Sequence, residues 1–244
     1  MTEILFDRNL LTRNRARFAG AFPEHNFLFV EVANRIAENS QSLNREFESA
    51  LEIGARDGYL SSLIKAKKIT QIADVEVLDF EKESFDLIVS NLNFHFINQI
   101  PQFLLQAKEA LKPNGIFIAS FFGEENLSEL ADILYKTENE IYAGISPRMP
   151  PTIDVKTAAA LLHKAGFADP ISDFEKIQVD YSDPKNLLKD LKIMGQGNIM
   201  SKRSRKFFTK KFLKKLLENY RQFYSNADSS VKATFEIITV TGWK

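Results

Sequence analysis

Small and acidic residues between Leu51 and Gly58 form the part of the sequence with the most chemical content. Glu52 lies within an apolar stretch, and Gly54 and Gly58 follow it across a predicted strand-to-helix turn. Glycines at such a turn let the backbone approach a ligand closely, and the first amides of the next helix favour negative charge. The run therefore predicts either a ligand-binding loop or, without a ligand, a tight connection between a strand and a helix.

Two further side chains are candidates for catalysis. His95 follows a predicted strand, and a histidine titrates in the range that suits a general base. The alternative is that His95 packs among Phe94 and Phe96. Tyr142 precedes a Pro-rich loop over residues 146–151, which either covers a cleft or only closes the chain.

These residues need a scaffold that brings strand ends together, and the pattern of the chain predicts one. Apolar strands alternate with amphipathic helices, which is typical of an α/β fold with a parallel sheet. The predicted strands cover residues 50–54, 71–78, 86–91, 115–122, 174–181 and 233–241. The predicted helices cover residues 16–22, 27–39, 58–68, 100–111, 126–143, 155–165, 184–194 and 206–224. Ligands bind such sheets at the carboxyl ends of the strands.

No Gly/Ser-rich linker divides the chain, so we predict a single domain of 244 residues. We assign residues 1–49 to an N-terminal helical lid and residues 50–125 to the core of the sheet. Residues 126–230 form a helical cap with one strand, and residues 231–244 form the final strand.

Composition excludes several functional classes. The chain has no cysteine, so thiolate metal sites, disulfides and a cysteine nucleophile are excluded, and its three histidines are scattered. We therefore predict no metal site. The hydrophobic fraction of 44% and the charged fraction of 26% are ordinary for a globular protein. No apolar run reaches the ~20 residues of a membrane span, and we predict a cytoplasmic location.

Positive charge is concentrated between Lys202 and Arg221, where nine Lys/Arg residues accompany one acid. Apolar residues recur there at helical spacing, so the segment predicts an amphipathic helix. One interpretation is a surface helix with solvated lysines. The other is a docking face for a protein substrate or an acidic carrier protein. Nucleic acid is not expected as a partner, because the aromatic residues fall on the apolar stripe.

The loop from Leu51 to Gly58 resembles the cofactor loop of class I S-adenosylmethionine-dependent methyltransferases, whose pattern is Asp/Glu-x-Gly-x-Gly-x-Gly. Glu52 matches the acid, Gly54 and Gly58 match glycines, and Arg56 stands at the middle glycine. Further runs extend the resemblance over nearly the whole chain, and they cover residues 5–11, 90–96, 111–115, 121–123, 145–147, 194–198 and 233–244. They resemble one subgroup, the methyltransferase-like assembly factors of respiratory complex I, which are relatives of the biotin-pathway malonyl-carrier-protein methyltransferase.

The resemblance implies a Rossmann-like class I methyltransferase fold, S-adenosylmethionine as cofactor, and action on a protein-borne group. Two alternatives stay open, namely an arginine hydroxylase that assists complex I assembly and a binding scaffold without cofactor. A eukaryotic source would imply the mitochondrial matrix. The cofactor-binding residues implied are Glu52, Gly54, Arg56, Gly58, Asp74, Val75 and Asn91.

Two departures from the family pattern affect the cofactor site. The Arg56 side chain must point away from the cofactor or occlude its place. The 31 residues between Gly54 and Asp86 are too few for the about 45 that two helices, two strands and their loops need, so one βα unit does not fit. Asp74 then either ends the second strand, where an acid contacts ribose, or belongs to the third strand near the adenine.

Overall fold

A computed structural model describes residues 4–204 and 209–244. The chain divides into two compact units. The helical unit comprises Met1–Ala21, Glu124–Pro151 and Lys176–Glu236, and the sheet unit comprises Phe22–Gly123, Thr152–Glu175 and Ile237–Lys244. The predicted N-terminal lid, residues 1–49, is thus divided between the two units, and its role as a lid stays a prediction.

One six-stranded sheet organises the fold, in the order β2-β1-β3-β4-β6-β5. Neighbouring strands are parallel from β2 to β4, whereas β6 is antiparallel to β4. The strands are β1 (Phe47–Ile53), β2 (Ala66–Ile72), β3 (Phe85–Asn91), β4 (Leu111–Phe122), β5 (Ala168–Tyr181) and β6 (Val231–Trp243). The predicted α/β class with a parallel core is confirmed.

Eight α-helices accompany the strands in the described part of the chain. They are α1 (Arg8–Arg17), α2 (Phe27–Ser42), α3 (Tyr59–Leu63), α4 (Ile100–Ala110), α5 (Ser128–Tyr142), α6 (Val155–Lys164), α7 (Pro184–Ile193) and α8 (Lys210–Tyr224). The helix predicted over 16–22 is wrong in its bounds, because α1 ends at Arg17. The helix predicted from 206 begins at Lys210, and residues 205–208 lie outside the described residues.

The sequence prediction is also wrong between residues 58 and 78. The helix predicted to reach residue 68 ends at Leu63, and the next strand covers 66–72 instead of 71–78. The connection from β1 to β2 is short, so only five residues become helical before the chain turns back into the sheet.

The expected loss of one βα unit is confirmed. Twelve residues, 73–84, connect β2 to β3 and contain no helix or strand. A doubly wound sheet has the strand order 3-2-1-4-5. Without its outer strand 3 the order is 2-1-4-5, which becomes 2-1-3-4 when the strands are renumbered along the chain, and this is the order of the first four strands here. The sheet therefore ends at β2 on this side.

The core of the sheet unit lies where α4 and α6 cover one face of the sheet. Fully buried Phe94, Phe103, Phe117 and Phe121 belong to this cluster, and the Phe94 ring contacts the other three with centroid separations of 5.2–6.1 Å. Helix α2 packs on β3 and β4 outside this cluster, with an apolar face that includes Leu28, Val32 and Ile36. Burial on both faces fixes the positions of the strand ends.

The helical unit is built on the packing of α5 against α8. The amphipathic helix predicted in the basic segment is confirmed as α8, which buries Phe212, Leu216 and Tyr220. The Thr209 side chain caps its first turn by accepting a hydrogen bond from the Phe212 amide at 3.1 Å. No helix among the described residues is long and apolar enough to cross a membrane.

Candidate functional site

The connection from β1 to α3 has the backbone that its glycines predict. Gly54 (φ 78°) and Gly58 (φ 76°) both adopt the left-handed conformation, which glycine tolerates without strain. The amides of Gly54 and Ala55 each donate to the Ile72 carbonyl at 3.0 Å, so the turn is tied to the end of β2. The loop is consequently held at the carboxyl edge of the sheet.

Glu52 is buried directly before this loop, with 4% of its surface exposed. Its carboxylate accepts a hydrogen bond from the Ser61 hydroxyl of α3. Burial raises the pKa of Glu52, and the bond from Ser61 offsets part of that rise. The acid predicted as a cofactor contact therefore also joins β1 to α3.

Asp74 follows β2, the strand directly beside β1. This position matches the first of the two sequence assignments, an acid at the end of the second strand. The Asn93 amide donates to the Asp74 carboxylate at 2.9 Å. Val75 is partly buried and packs against the hydrophobic core.

Asn93 also stands against the open face of Gly54. A Cβ atom built on Gly54 would lie 2.6 Å from Cγ of Asn93, a distance too short for any side chain. The space that a glycine leaves for a ligand is therefore taken by a side chain of the protein itself.

Arg56 directs its guanidinium over the Phe22 ring, with the carbon at its centre 4.0 Å from the ring centroid. The same guanidinium carbon lies 5.7 Å from the centroid of the Phe29 ring. Cation–π contacts of this kind hold the side chain in place. Arg56 thus points toward α2 and still lines the cavity beside the loop.

A small cavity lies between the loop, β3 and α2. Its empty volume of about 260 Å³ includes space open to solvent, and the enclosed part has room for about one water molecule. Glu52, Gly54, Arg56 and Asn91 all line it. Asn91 donates to the Phe29 carbonyl at 2.8 Å, and its buried Oδ1 has no hydrogen-bond partner in the described chain.

His95 lies in a short 3₁₀ helix, Phe94–Phe96, directly after β3. Its ring packs between those of Phe96 and Phe122, at centroid separations of 4.2 and 4.9 Å, and 7% of its surface is exposed. The packing alternative describes its surroundings best, although the aromatic partner across the ring is Phe122 and not Phe94.

Tyr142 ends α5 in the helical unit, and its ring stacks on Phe212 at 5.8 Å. The loop that follows is anchored by an ion pair between Arg148 and buried Glu138, with Nε and Oε1 2.6 Å apart. Tyr142 is therefore part of a packed region around α8, and its catalytic role stays a prediction.

The sequence analysis missed Asn93 and Ser61. Asn93 carries the same signal as Asn91, since both are polar residues just beyond an apolar strand, but only the structure shows which one faces Gly54. Ser61 has the helical spacing of an ordinary surface residue. In the part of the chain that is described, no three His, Asp or Glu side chains lie close enough to hold a metal ion.

Comparison with known proteins identifies the family. Residues 38–119 match the model of a methyltransferase domain. The chain is 33% identical to the mitochondrial arginine-hydroxylase NDUFAF5 of Rattus norvegicus, across 98% of this chain and 77% of that protein. It is 29% identical to the malonyl-[acyl-carrier protein] O-methyltransferase of Gallionella capsiferriformans, across 73% of this chain and 59% of that protein.

A solved structure supports the fold. The YcgJ protein of Bacillus subtilis superposes with a TM-score of 0.54 at 12% identity, covering 88% of this chain and 98% of that chain. The alignment with the rat protein runs over 267 positions, more than the 244 residues of this chain, so the rat protein has insertions relative to it. The chain therefore belongs to the family of methyltransferase-like proteins that contains the arginine-hydroxylase NDUFAF5.

Proposed function

We propose that this protein binds a cofactor of the S-adenosylmethionine class at the carboxyl ends of β1, β2 and β3, and acts on a group carried by another protein. The observation that carries the cofactor proposal is the buried Oδ1 of Asn91, which has no partner in the described chain and lines the cavity beside the glycine loop. Buried polar atoms are normally paired with protein, water or a ligand, so this atom is able to accept a hydrogen bond from a polar ligand in the cavity.

The residues at this edge fit the cofactor in kind. The Glu52 and Asp74 carboxylates can accept from an ammonium or a hydroxyl, whereas the amides of Gly54 and Ala55 already donate to the Ile72 carbonyl. When bound, a cofactor of this class supplies an electrophilic methyl group. The protein's own residues would orient it and exclude water, and a carboxylate acceptor would need no general base.

The space in the cavity limits the affinity. The Asn93 side chain has to leave the face of Gly54, and in doing so it gives up its hydrogen bond to Asp74. In addition, no third strand from the described residues covers β2 at the side where Asp74 lies. We therefore expect binding that is weak for this fold.

The name of one relative favours a group carried on a protein. That relative is named for the methylation of malonyl groups on acyl-carrier protein, and another is named for the hydroxylation of arginine. The basic face of α8 fits an acidic partner of that kind, since Lys210, Lys211 and Lys214 are exposed there. Lys214 also forms an exposed ion pair with Glu218, and Lys215 and Arg221 are paired with Glu140 and Asp183. By the same likeness we infer the mitochondrial matrix in a eukaryote and the cytoplasm in a bacterium.

Calorimetry with S-adenosylhomocysteine tests the cofactor proposal. We expect measurable binding by the natural protein and tighter binding by Arg56→Gly, because that change removes the guanidinium from the cavity wall. Ala55→Gly is the matched control, since it loosens the same loop without removing bulk. Millimolar or undetectable affinity in the natural protein and in Arg56→Gly would reject cofactor binding.

A binding scaffold without cofactor is the second candidate. Two observations favour it, namely that Asn93 fills the face of Gly54 and that Arg56 packs on Phe22 beside the loop. Binding of acidic acyl-carrier protein tests the docking face in either case. Reversing the charge of Lys210, Lys211 and Lys214 should weaken it about tenfold or more, whereas Lys136→Glu in the same unit should not. Unchanged binding by the triple variant would reject the docking face.

A further inference from the structure

The outer edge of β2 is open in this protein. Strand β2 ends the sheet on its side, and β1 is its neighbour. The connection that follows runs along a different surface: the Leu78 amide donates to the Gln106 side chain of α4 at 3.0 Å, and the Asn98 side chain donates to Glu76 at 3.0 Å. The loop after β2 is thus held toward α4 and leaves the edge of β2 uncovered.

The backbone groups on this edge can be assigned. The Ile72 carbonyl faces β1, where it accepts from Gly54 and Ala55. Because the N–H and C=O groups of successive residues in a strand point to alternate sides, those of Thr70 and Lys68 also face β1. The N–H and C=O groups of Lys67, Ile69 and Gln71 consequently point outward. They form a row that another strand can pair with.

The edge is positively charged. Lys65, Lys67 and Lys68 are all exposed, whereas Lys67 alone of the three has an acidic partner in the described chain, Glu48. A second copy of the same edge would bring these lysines together, so self-pairing is unfavourable. An acidic segment would instead gain attraction from Lys65 and Lys68.

We propose that the open edge of β2 binds an extended acidic segment of a partner protein, which adds to the sheet as a strand in the place of the missing βα unit. Backbone hydrogen bonds to Lys67, Ile69 and Gln71 would supply affinity, and the lysines would select for acidic residues. Half-buried Ile69 offers an apolar contact for every second residue of the segment. This inference does not depend on cofactor binding.

Fluorescence anisotropy with labelled peptides tests the proposal on the full chain. The probe is a short peptide that alternates glutamate and valine, and its control alternates lysine and valine. We expect the acidic peptide to bind about tenfold or more tightly than the basic one. The double variant Lys65→Glu/Lys68→Glu should reverse that preference.

Backbone pairing is tested separately with two N-methylated forms of the acidic peptide, each methylated at alternate amides. A strand at this edge presents only one set of amides to β2, so one form should lose binding and the other should retain it. Ile69→Pro, which removes an outward amide, should bind about tenfold less tightly than the matched Ile69→Ala. The methylated peptides keep the test valid if the proline variant fails to fold.

Three outcomes would overturn the proposal. If the acidic peptide does not bind, the lysines serve only to prevent the edge of β2 from pairing with strands of other chains. Equal loss with both methylated forms would exclude a strand. Concentration-dependent dimerisation that Ile69→Pro abolishes would assign the edge to a second copy of this chain.

Discussion

Replacing Asn93 with alanine should open the cofactor site. The Asn93 side chain is fully buried, contacts the position of a Cβ on Gly54 at 2.6 Å, and donates to Asp74 at 2.9 Å. A ligand that lies against Gly54 must first displace it. Asn93→Ala removes the carboxamide, so no bond to Asp74 has to be broken and the Asp74 carboxylate is available to the ligand, while Cβ of residue 93 stays 2.8 Å from the Cβ position built on Gly54.

The size of the effect follows from the bond that the ligand would break. A hydrogen bond to a charged group contributes about 1.5–3 kcal/mol net. Since about 1.4 kcal/mol corresponds to a factor of ten in affinity, Asn93→Ala should tighten binding of S-adenosylhomocysteine by about tenfold to a hundredfold. The shortened side chain should also cost some stability, because its site is buried.

Calorimetry on the natural protein, Asn93→Ala and a matched control measures this effect. Asn98→Ala is the control, because Asn98 makes the same kind of bond to Glu76 and has no atom against Gly54. We expect Asn98→Ala to bind like the natural protein. Unchanged or weaker binding by a folded Asn93→Ala would refute the reasoning that Asn93 occupies the ligand's place.

Three further predictions concern stability, measured as the free energy of unfolding in urea. Glu138→Ala should lower it by about 3–5 kcal/mol, because it leaves the Arg148 guanidinium without its buried partner. Glu52→Gln should raise it near pH 7, and the gain should vanish as the pH falls below the ordinary pKa of about 4.3, because burial raises the pKa of Glu52 and so disfavours its charged form. Burial alone would raise the pKa of Asp86, but bonds from Lys112 and Ser49 outweigh it and lower the pKa; Asp86→Asn should therefore flatten the loss of stability below about pH 4.

Each stability prediction has a control or a contrary result. Glu140→Ala removes an exposed pair with Lys215, so its cost should stay below about 1 kcal/mol. A similar cost for Glu138→Ala would mean that its ion pair adds little. A gain for Glu52→Gln that persists at acid pH would show that charge is not its cause. If Asp86→Asn loses as much stability at acid pH as the natural protein does, groups other than Asp86 cause that loss.

The order of helices and strands was predictable because residues that face the core must be apolar, and their spacing differs between helices and strands. β3, with the pattern of a buried strand over residues 86–91, was found within one residue, as were the bounds of α6 and α7. Between residues 58 and 78 the pattern was ambiguous, because Lys67 and Lys68 look helical and lie on an exposed strand edge. The pairing with β1, which local spacing does not encode, decides the conformation there.

The sequence predicted which residues line the candidate site better than it predicted which side chains occupy the space beside Gly54. The family resemblance, together with the convergence of strand ends in a parallel sheet, implied that Glu52, Gly54 and Asn91 lie at one edge, and all three line the same cavity. They did not indicate that Asn93 would fill the face of Gly54 or that Arg56 would pack on Phe22. Those outcomes depend on rotamers and on Phe22 and Phe29, which lie more than twenty positions from Arg56 in sequence.

The position of β6 in the sheet has a consequence for synthesis of the chain. β6 follows every other strand in sequence and is inserted between β4 and β5. While the ribosome is still translating the preceding residues, β4 and β5 each expose backbone groups that have no neighbour. The nascent chain is therefore open to wrong pairing until its final strand emerges, and it should benefit from a chaperone at that stage.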